Sequence, residues 1–311
     1  MNSYHKKVVG ALAIILAATM WGLDGVVFTP KFFNLDIGFV VFMLHLIPFS
    51  LMNLFLFKEY KKLKSFRKND FLLLFGIALF GGSLGTMAII KALSLTQFDH
   101  LSVIVLIQKL QPVFAIILAA VFLNERLRED FVVWAIVAIL ASYFLTFGRA
   151  TPSLDKHANL IQATLWSLLA AISFGSATVL GKAALTKFSI KTVAFYRFGF
   201  TAFLMLFYII FAGKIGEFQN ITTQNGKFFL LIALTTGGSG VFLYYFGLKK
   251  VKAMASSICE LFFPLSVVLF DFFINKNSLS FFQMLGAIML IISTLEITFH
   301  RHRIRVLVPR K

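Results

Sequence analysis

Acidic residues are scarce in this chain, with 13 Asp and Glu against 30 Lys and Arg in 311 residues, a formal net charge of +17. Charge of either sign accounts for only 14% of the sequence, whereas 59% is hydrophobic and 39 residues are phenylalanine. An average soluble domain is about 45–50% apolar and about 25% charged, so this deficit points away from a water-soluble fold. A basic balance invites a nucleic-acid reading, and the placement of the charges excludes it. They fall in short gaps between apolar runs, without an RNA- or DNA-binding signature. Cysteine is nearly absent: Cys259 stands alone in an apolar run, so neither a disulfide framework nor a thiol metal site is available. The histidines at 5, 45, 100, 157, 300 and 302 are scattered, with no His-Glu-x-x-His and no Cys–His pairing. No Gly-x-x-x-x-Gly-Lys-[Ser/Thr] loop occurs either. We therefore expect no catalytic residue, no metal and no cofactor.

Long polar stretches are missing as well, and what remains is apolar. Ten runs of roughly 19–23 residues can be marked, at 8–29, 36–57, 71–91, 101–123, 130–148, 161–181, 191–212, 227–247, 254–274 and 281–299. Each is near the length that crosses the hydrocarbon as a helix, and helices are required because backbone groups in lipid must be satisfied within the segment. The first run is about 22 residues, longer than the 7–15 of a signal-peptide core, and reads as an uncleaved span. The gaps between runs leave no room for a soluble domain. The fold class is thus all-α integral membrane with ten transmembrane helices.

Lysine and arginine set the orientation. With the N-terminus inside, the inner segments (1–7, 58–70, 124–129, 182–191, 248–253 and 300–311) hold 21 of the 30, and the outer gaps hold 7. The positive-inside rule then puts both termini in the cytoplasm. The chain also repeats itself at offsets of 152–156 residues: Trp21-Gly22 with Phe174-Gly175, Gly81-Gly82-Ser83 with Gly237-Gly238-Ser239, Ala92-Leu93 with Gly247-Leu248, and Pro112 with Pro264. Five spans per copy is an odd number, so the second copy runs inverted relative to the first. Inverted repeats build many secondary transporters, with the binding site near the midplane between the copies.

These residues carry a resemblance. Trp21-Gly22, the glycine-rich third span, Pro112 followed by Phe122-Leu123-Asn124-Glu125-Arg126-Leu127, and the doubled arrangement resemble the drug/metabolite transporter superfamily, EamA-like branch. The resemblance covers both halves, 8–148 and 161–299. It implies a central cavity lined mainly by spans 1, 3, 4, 6, 8 and 9, alternating access, and diverse small solutes such as amino acids and metabolites. One departure is visible: Glu125 after span four has Asn277 at the equivalent place after span nine.

Polar residues deep in the spans are the candidate site, because an ionisable group at membrane depth is costly. Lys109 lies about 12 Å inside span four at ~1.5 Å per residue, too deep to snorkel with ease. Asp24 is at a similar depth in span one, so the two form either a static ion pair or a charged site for a zwitterionic or anionic solute. Glu260 shares a helical face with Ser256, Ser257 and Pro264. It reads either as a proton-coupling carboxylate or as the partner of Arg197, whose depth matches. Gln108 and Gln111 flank Lys109 and contact another helix or the substrate. Trp21 and Tyr244 are candidate cavity walls, and Pro112 and Pro264 are kinks that serve as gates. Glycines 81, 82, 85, 237, 238 and 240 favour close helix approach.

The expected function is secondary transport of a small metabolite, an amino acid or organic anion, by export or exchange across a bacterial inner membrane. The partners are the substrate, the lipid bilayer and a proton as coupling ion, with no nucleic acid. A lipid-modifying membrane enzyme and a non-transporting scaffold are the alternatives. The first lacks clustered catalytic residues, and the second does not account for deep charges in both halves.

Overall fold

The computed structural model describes residues 3–32, 34–95, 107–148, 158–276 and 278–299, and every regular element among them is a helix. Nine helical stretches among these residues are long and apolar enough to cross a membrane: α1 (Tyr4–Phe32), α2 (Ile37–Ser65), α3 (Lys68–Ala92), α5 (Glu129–Phe147), α6 (Ile161–Lys187), α7 (Ile190–Phe211), α8 (Thr223–Lys250), α9 (Ala253–Ile274) and α10 (Phe281–Thr298). Between α3 and α5 lies a shorter apolar helix, α4 (Gln111–Phe122). It belongs to the run expected at 101–123, whose first six residues lie outside the described ones.

Burial runs opposite to a water-soluble fold. Large apolar side chains stand outward, Phe211 at 85% exposure and Phe55 at 80%, while alanines such as Ala17, Ala18, Ala138, Ala141, Ala170 and Ala171 are fully buried. In lipid an exposed phenylalanine costs nothing, and helix association relies on close backbone approach at small residues. Local signals set the helix starts. Asp36 accepts from the Phe39 amide at 3.2 Å to open α2, and Ser189 accepts from the Thr192 amide at 3.2 Å to open α7.

The helix pairing has an internal symmetry. Exchanging the first five helices with the last five turns the α1–α8 contact into α6–α3, and the α4–α6 contact into α9–α1. The α2–α7, α4–α9 and α5–α10 contacts turn into themselves. Such a contact set is what two copies of one five-helix unit give when they pack about a common axis. Glycines fix the tightest crossings. A Cβ on Gly247 would lie 2.4 Å from the Gly10 carbonyl oxygen, across the α1–α8 crossing, and one on Gly286 would lie 2.5 Å from the Leu145 nitrogen, across α5–α10. Of the glycines singled out in the sequence, three behave similarly, whereas Gly237 and Gly238 face the Ile232 and Ala233 carbonyls of their own helix. Gly81 meets the Ala177 Cβ, Gly82 the Thr201 side chain, and Gly240 the Trp21 indole.

Backbone irregularity is concentrated in the inner helices. In α3 the chain widens into a π-helix over Ala78–Leu84, and the carbonyl of Ala78 accepts from Thr201 Oγ1 at 3.2 Å and Ser83 Oγ at 3.3 Å. Helix α8 breaks at residues 235–237, where the carbonyl of Thr236 accepts from Trp21 Nε1 at 3.0 Å and that of Leu234 from Ser239 Oγ at 2.6 Å. In lipid a freed carbonyl must find such a partner. Matching turns interrupt spans four and nine, where Leu110 N–H donates to the Ile107 carbonyl and Leu261 N–H to the Ile258 carbonyl, both at 3.0 Å. Pro112 and Pro264 stand in the first turn of the half-helix that follows, so each break lies just before its proline rather than at it. A first-turn proline forfeits no intrahelical bond.

The Gly10–Gly247 crossing can be tested by overpacking. Gly247→Val should cost about 1–3 kcal/mol, because its Cβ alone would collide with the Gly10 carbonyl oxygen at 2.4 Å and the Ile14 side chain at 2.6 Å. The thermal unfolding midpoint of the purified protein should fall by several degrees. A midpoint equal to that of the parent would contradict this packing.

Candidate functional site

The two interrupted helices meet at the centre of the molecule, and Glu260 stands at the meeting point. It is the residue at which the first half of α9, Ala253–Cys259, ends. Four side chains from four helices donate to its carboxylate: Tyr244 Oη of α8 at 2.9 Å, Gln111 Nε2 of α4 at 3.0 Å, Ser256 Oγ of α9 at 3.1 Å and Thr178 Oγ1 of α6 at 3.3 Å. Thr178 Oγ1 and Tyr244 Oη also stand 3.1 Å from each other, which closes the ring of groups around the carboxylate. All four donors are neutral. A hydrogen bond to a charged acceptor is worth about 1.5–3 kcal/mol, so the ring offsets the cost of holding this carboxylate away from water.

An aromatic wall backs the ring. The Trp21 and Tyr244 rings lie 5.4 Å apart, tilted by 52°, and Tyr245 continues the series at 5.5 Å from Tyr244. Trp21 approaches this closely because residue 240 is glycine; a Cβ there would sit 3.1 Å from the indole nitrogen. On the α4 side a cavity of about 40 Å³ is lined by Gln108, Lys109, Gln111, Pro112, Ser257, Glu260, Phe263 and Pro264. Small-molecule pockets run at about 300–1,000 Å³, so the site is closed in this conformation. Lys109 is 8% exposed, and its ammonium lies 5.6 Å from the centre of the Phe263 ring. That contact is a cation–π interaction worth about 0.5–2 kcal/mol.

Gln108, Lys109, Gln111, Ser257, Glu260, Pro112 and Pro264 thus share one cavity, with Tyr244 and Trp21 beside it. Both ion pairs considered from the sequence fail to form. Among the described residues Lys109 has no salt bridge, and Asp24 instead accepts from Thr236 Oγ1 at 3.2 Å and from Thr29 Oγ1 at 3.5 Å. Asp24 begins the π-helical turn Asp24–Phe28 near the far end of α1, outside the lining of the cavity. Nor does Arg197 reach Glu260. Its guanidinium donates to Tyr245 Oη at 3.2 Å and to the Gly81 carbonyl at 3.4 Å. Matching depth did not bring these groups together, because depth says nothing about which way a side chain faces. Ser257 turns away to donate to the Met254 carbonyl at 2.8 Å, and its neighbour Ser256, one turn before Glu260, makes the contact. Thr178 was missed. It lies three residues after Gly175 in α6, and a lone threonine in a span gives little signal.

Glu125 also has a role in the structure. Its two carboxylate oxygens accept from the Ala253 and Met254 amides at 2.8 and 3.1 Å, capping α9 from the end of α4. Lys182 of α6 donates to the carbonyls of Leu248 and Lys249 at 2.9 and 3.2 Å, closing the end of α8. Both contacts lie at the end that carries the N-terminus, and the Glu125 contact joins the two halves there. Asn277, the counterpart of Glu125 in the repeat, lies outside the described residues.

Comparisons with known proteins give the same picture. The sequence profile of the EamA-like transporter family matches twice, over residues 8–147 and 161–299. A riboflavin transporter, ImpX, from Fusobacterium nucleatum subsp. nucleatum is 47% identical over 290 residues, which is 93% of this chain and 97% of that protein. An uncharacterized transporter from Archaeoglobus fulgidus is 22% identical over 92% of this chain and 95% of its own length. A solved crystal structure superposes with a TM-score of 0.73 at 15% identity, covering 96% of this chain and 99% of that one, and so shares the fold.

Removing one donor from Glu260 tests the ring. Tyr244→Phe keeps the aromatic wall and deletes the shortest of the four bonds, which should cost about 1–3 kcal/mol. Thermal unfolding of the variant in detergent should show a lowered midpoint. An unchanged midpoint would mean that the hydroxyl is not needed by the carboxylate.

Proposed function

The chain belongs to the EamA-like transporter family, a multi-pass membrane protein that moves a small molecule, and from that premise we propose that its substrate is riboflavin. The reading rests first on the 47% identity to a riboflavin transporter along nearly the whole of both chains. The site chemistry supports it. Riboflavin is a neutral, flat heteroaromatic with an imide edge and a polyol tail. Trp21 and Tyr244 offer ring faces, while Gln111 and Glu260 offer an amide and a carboxylate that pair with an imide N–H and its flanking carbonyls. The Thr178, Ser256 and Tyr244 hydroxyls match the polyol. An apolar pocket with a few convergent polar groups is the general form of such sites.

We assign substrate contact to Gln108, Lys109, Gln111, Glu260, Trp21 and Tyr244, and gating to the breaks before Pro112 and Pro264. In this reading residues 8–148 and 161–299 are two inverted halves that rock about the site, with the run at 101–123 supplying the tenth span. The threefold Lys and Arg bias supports a bacterial cytoplasmic membrane with both termini inside. Any proton coupling is assigned to Glu260, the carboxylate on which the site converges. The second reading is a zwitterionic or anionic solute, and Lys109 favours it, being a buried cation without a salt bridge among the described residues.

Solute counterflow separates the two readings without knowledge of direction or driving ion. Proteoliposomes preloaded with riboflavin should accumulate labelled riboflavin, and excess amino acids or small organic anions should not compete. Glu260→Ala, which strips the site of its acceptor, should lower the rate by about 10–100-fold, the kinetic equivalent of ~1.5–3 kcal/mol. Counterflow of an amino acid or organic anion in place of riboflavin would overturn the flavin assignment.

A further inference from the structure

A second cavity, of about 350 Å³, opens at the end of the molecule that carries the N-terminus. It lies between the starts of α1, α5 and α9 and the end of α10, and it is some nine times larger than the roughly 40 Å³ space beside Glu260. Four cations line it: Lys7, Arg126, Arg128 and Lys252. Asp130 neutralises Arg128 through two bonds, at 3.1 Å from Nε and 2.7 Å from Nη2. Lys7, Arg126 and Lys252 form no salt bridge among the described residues.

Lys252 is tied to the stretch of chain that carries Arg126. Lys252 Nζ donates to the Arg126 carbonyl at 3.5 Å, and the adjacent Glu125 ties the same stretch of chain to the Ala253 and Met254 amides. The floor beneath the cations is apolar, built from Ala11, Val251, Met254, Phe131 and Ile297. Cations above an apolar floor at a bilayer boundary match an anionic head on a hydrocarbon tail. Basic pockets between helix ends are the usual seat of anionic phospholipid headgroups.

We propose that this cleft binds a phosphate group, carried by an anionic phospholipid of the surrounding leaflet. The bound phosphate would bridge Arg126, in the α4–α5 connection of the first half, and Lys252, in the α8–α9 connection of the second, and hold this end of the molecule shut. This inference does not depend on the identity of the transported solute.

The test compares the full chain in nanodiscs of phosphatidylcholine alone, of phosphatidylcholine with phosphatidylglycerol, and of phosphatidylcholine with added inorganic phosphate. Phosphatidylglycerol should raise the thermal midpoint by about 3 °C or more. Both Arg126→Gln/Lys252→Gln and Lys7→Gln should reduce that rise, whereas Lys61→Gln/Lys64→Gln should retain it. The last pair removes as much charge from the exposed Phe57–Ser65 segment, outside the cleft. A rise with inorganic phosphate that the cleft variants abolish would support the phosphate site and assign it to a free solute. No rise with either source, or an equal loss in the Lys61/Lys64 variant, would overturn the proposal.

Discussion

A carboxylate at the centre of a membrane protein must be satisfied from all sides, and the interior of this molecule is arranged around that demand. Glu260 draws its partners from α4, α6, α8 and α9, so four helices cannot move independently while the ring of donors is closed. Separating α4 from α9 breaks the bond from Gln111, and shifting α8 breaks that from Tyr244. Either step leaves a charge under-coordinated at a cost of a few kcal/mol, unless something else supplies the lost bonds. A substrate with its own donors does so. Under the proposed function the ring is at once a lock on the closed state and a template for the groups that a solute must bring.

The distribution of backbone regularity follows from the same constraint. Helices α5, α7 and α10 run without interruption, while α3, α4, α8 and α9 are widened or broken. Each irregularity frees carbonyls that lipid cannot solvate, and the side chains of Thr201, Ser83, Ser239 and Trp21 answer them. Unwound backbone is tolerated only where protein or a cavity faces it. The matched turns before Pro112 and Pro264 place one such joint in each half, at the level of the site. At the end bearing the N-terminus, Glu125 caps the start of α9 across the halves, so opening there must surrender that cap as well.

Much of this was legible in the chain because lipid imposes a length and an apolarity on every span. The repeat in Trp21, Gly81, Pro112 and their partners pointed to a doubled architecture, and the depth of Lys109 and Glu260 pointed to the cavity. What depth cannot give is azimuth. Asp24 and Lys109 lie at similar levels, as do Arg197 and Glu260, yet neither pair forms, because each side chain faces a different neighbour. Even within one helix face the choice is fine: Ser256 and Ser257 straddle it, and Ser257 spends its hydroxyl on the Met254 carbonyl while Ser256 meets the carboxylate. Thr178 illustrates a further limit. Its role exists only where α6 crosses α8, and no local pattern announces a crossing.

A double-mutant cycle on Gln111 and Glu260 tests most directly whether the two halves share one site. Gln111→Ala, Glu260→Ala and the double variant would be compared by thermal unfolding of the full chain, with riboflavin binding followed by flavin fluorescence. If the residues act as a unit, the double variant costs less than the sum of the single ones, with a coupling of about 0.5–3 kcal/mol in stability. Flavin binding would then be lost alike in all three. Additive effects, within about 0.3–0.5 kcal/mol, would contradict the account, because they would mean that α4 and α9 approach each other without sharing a site.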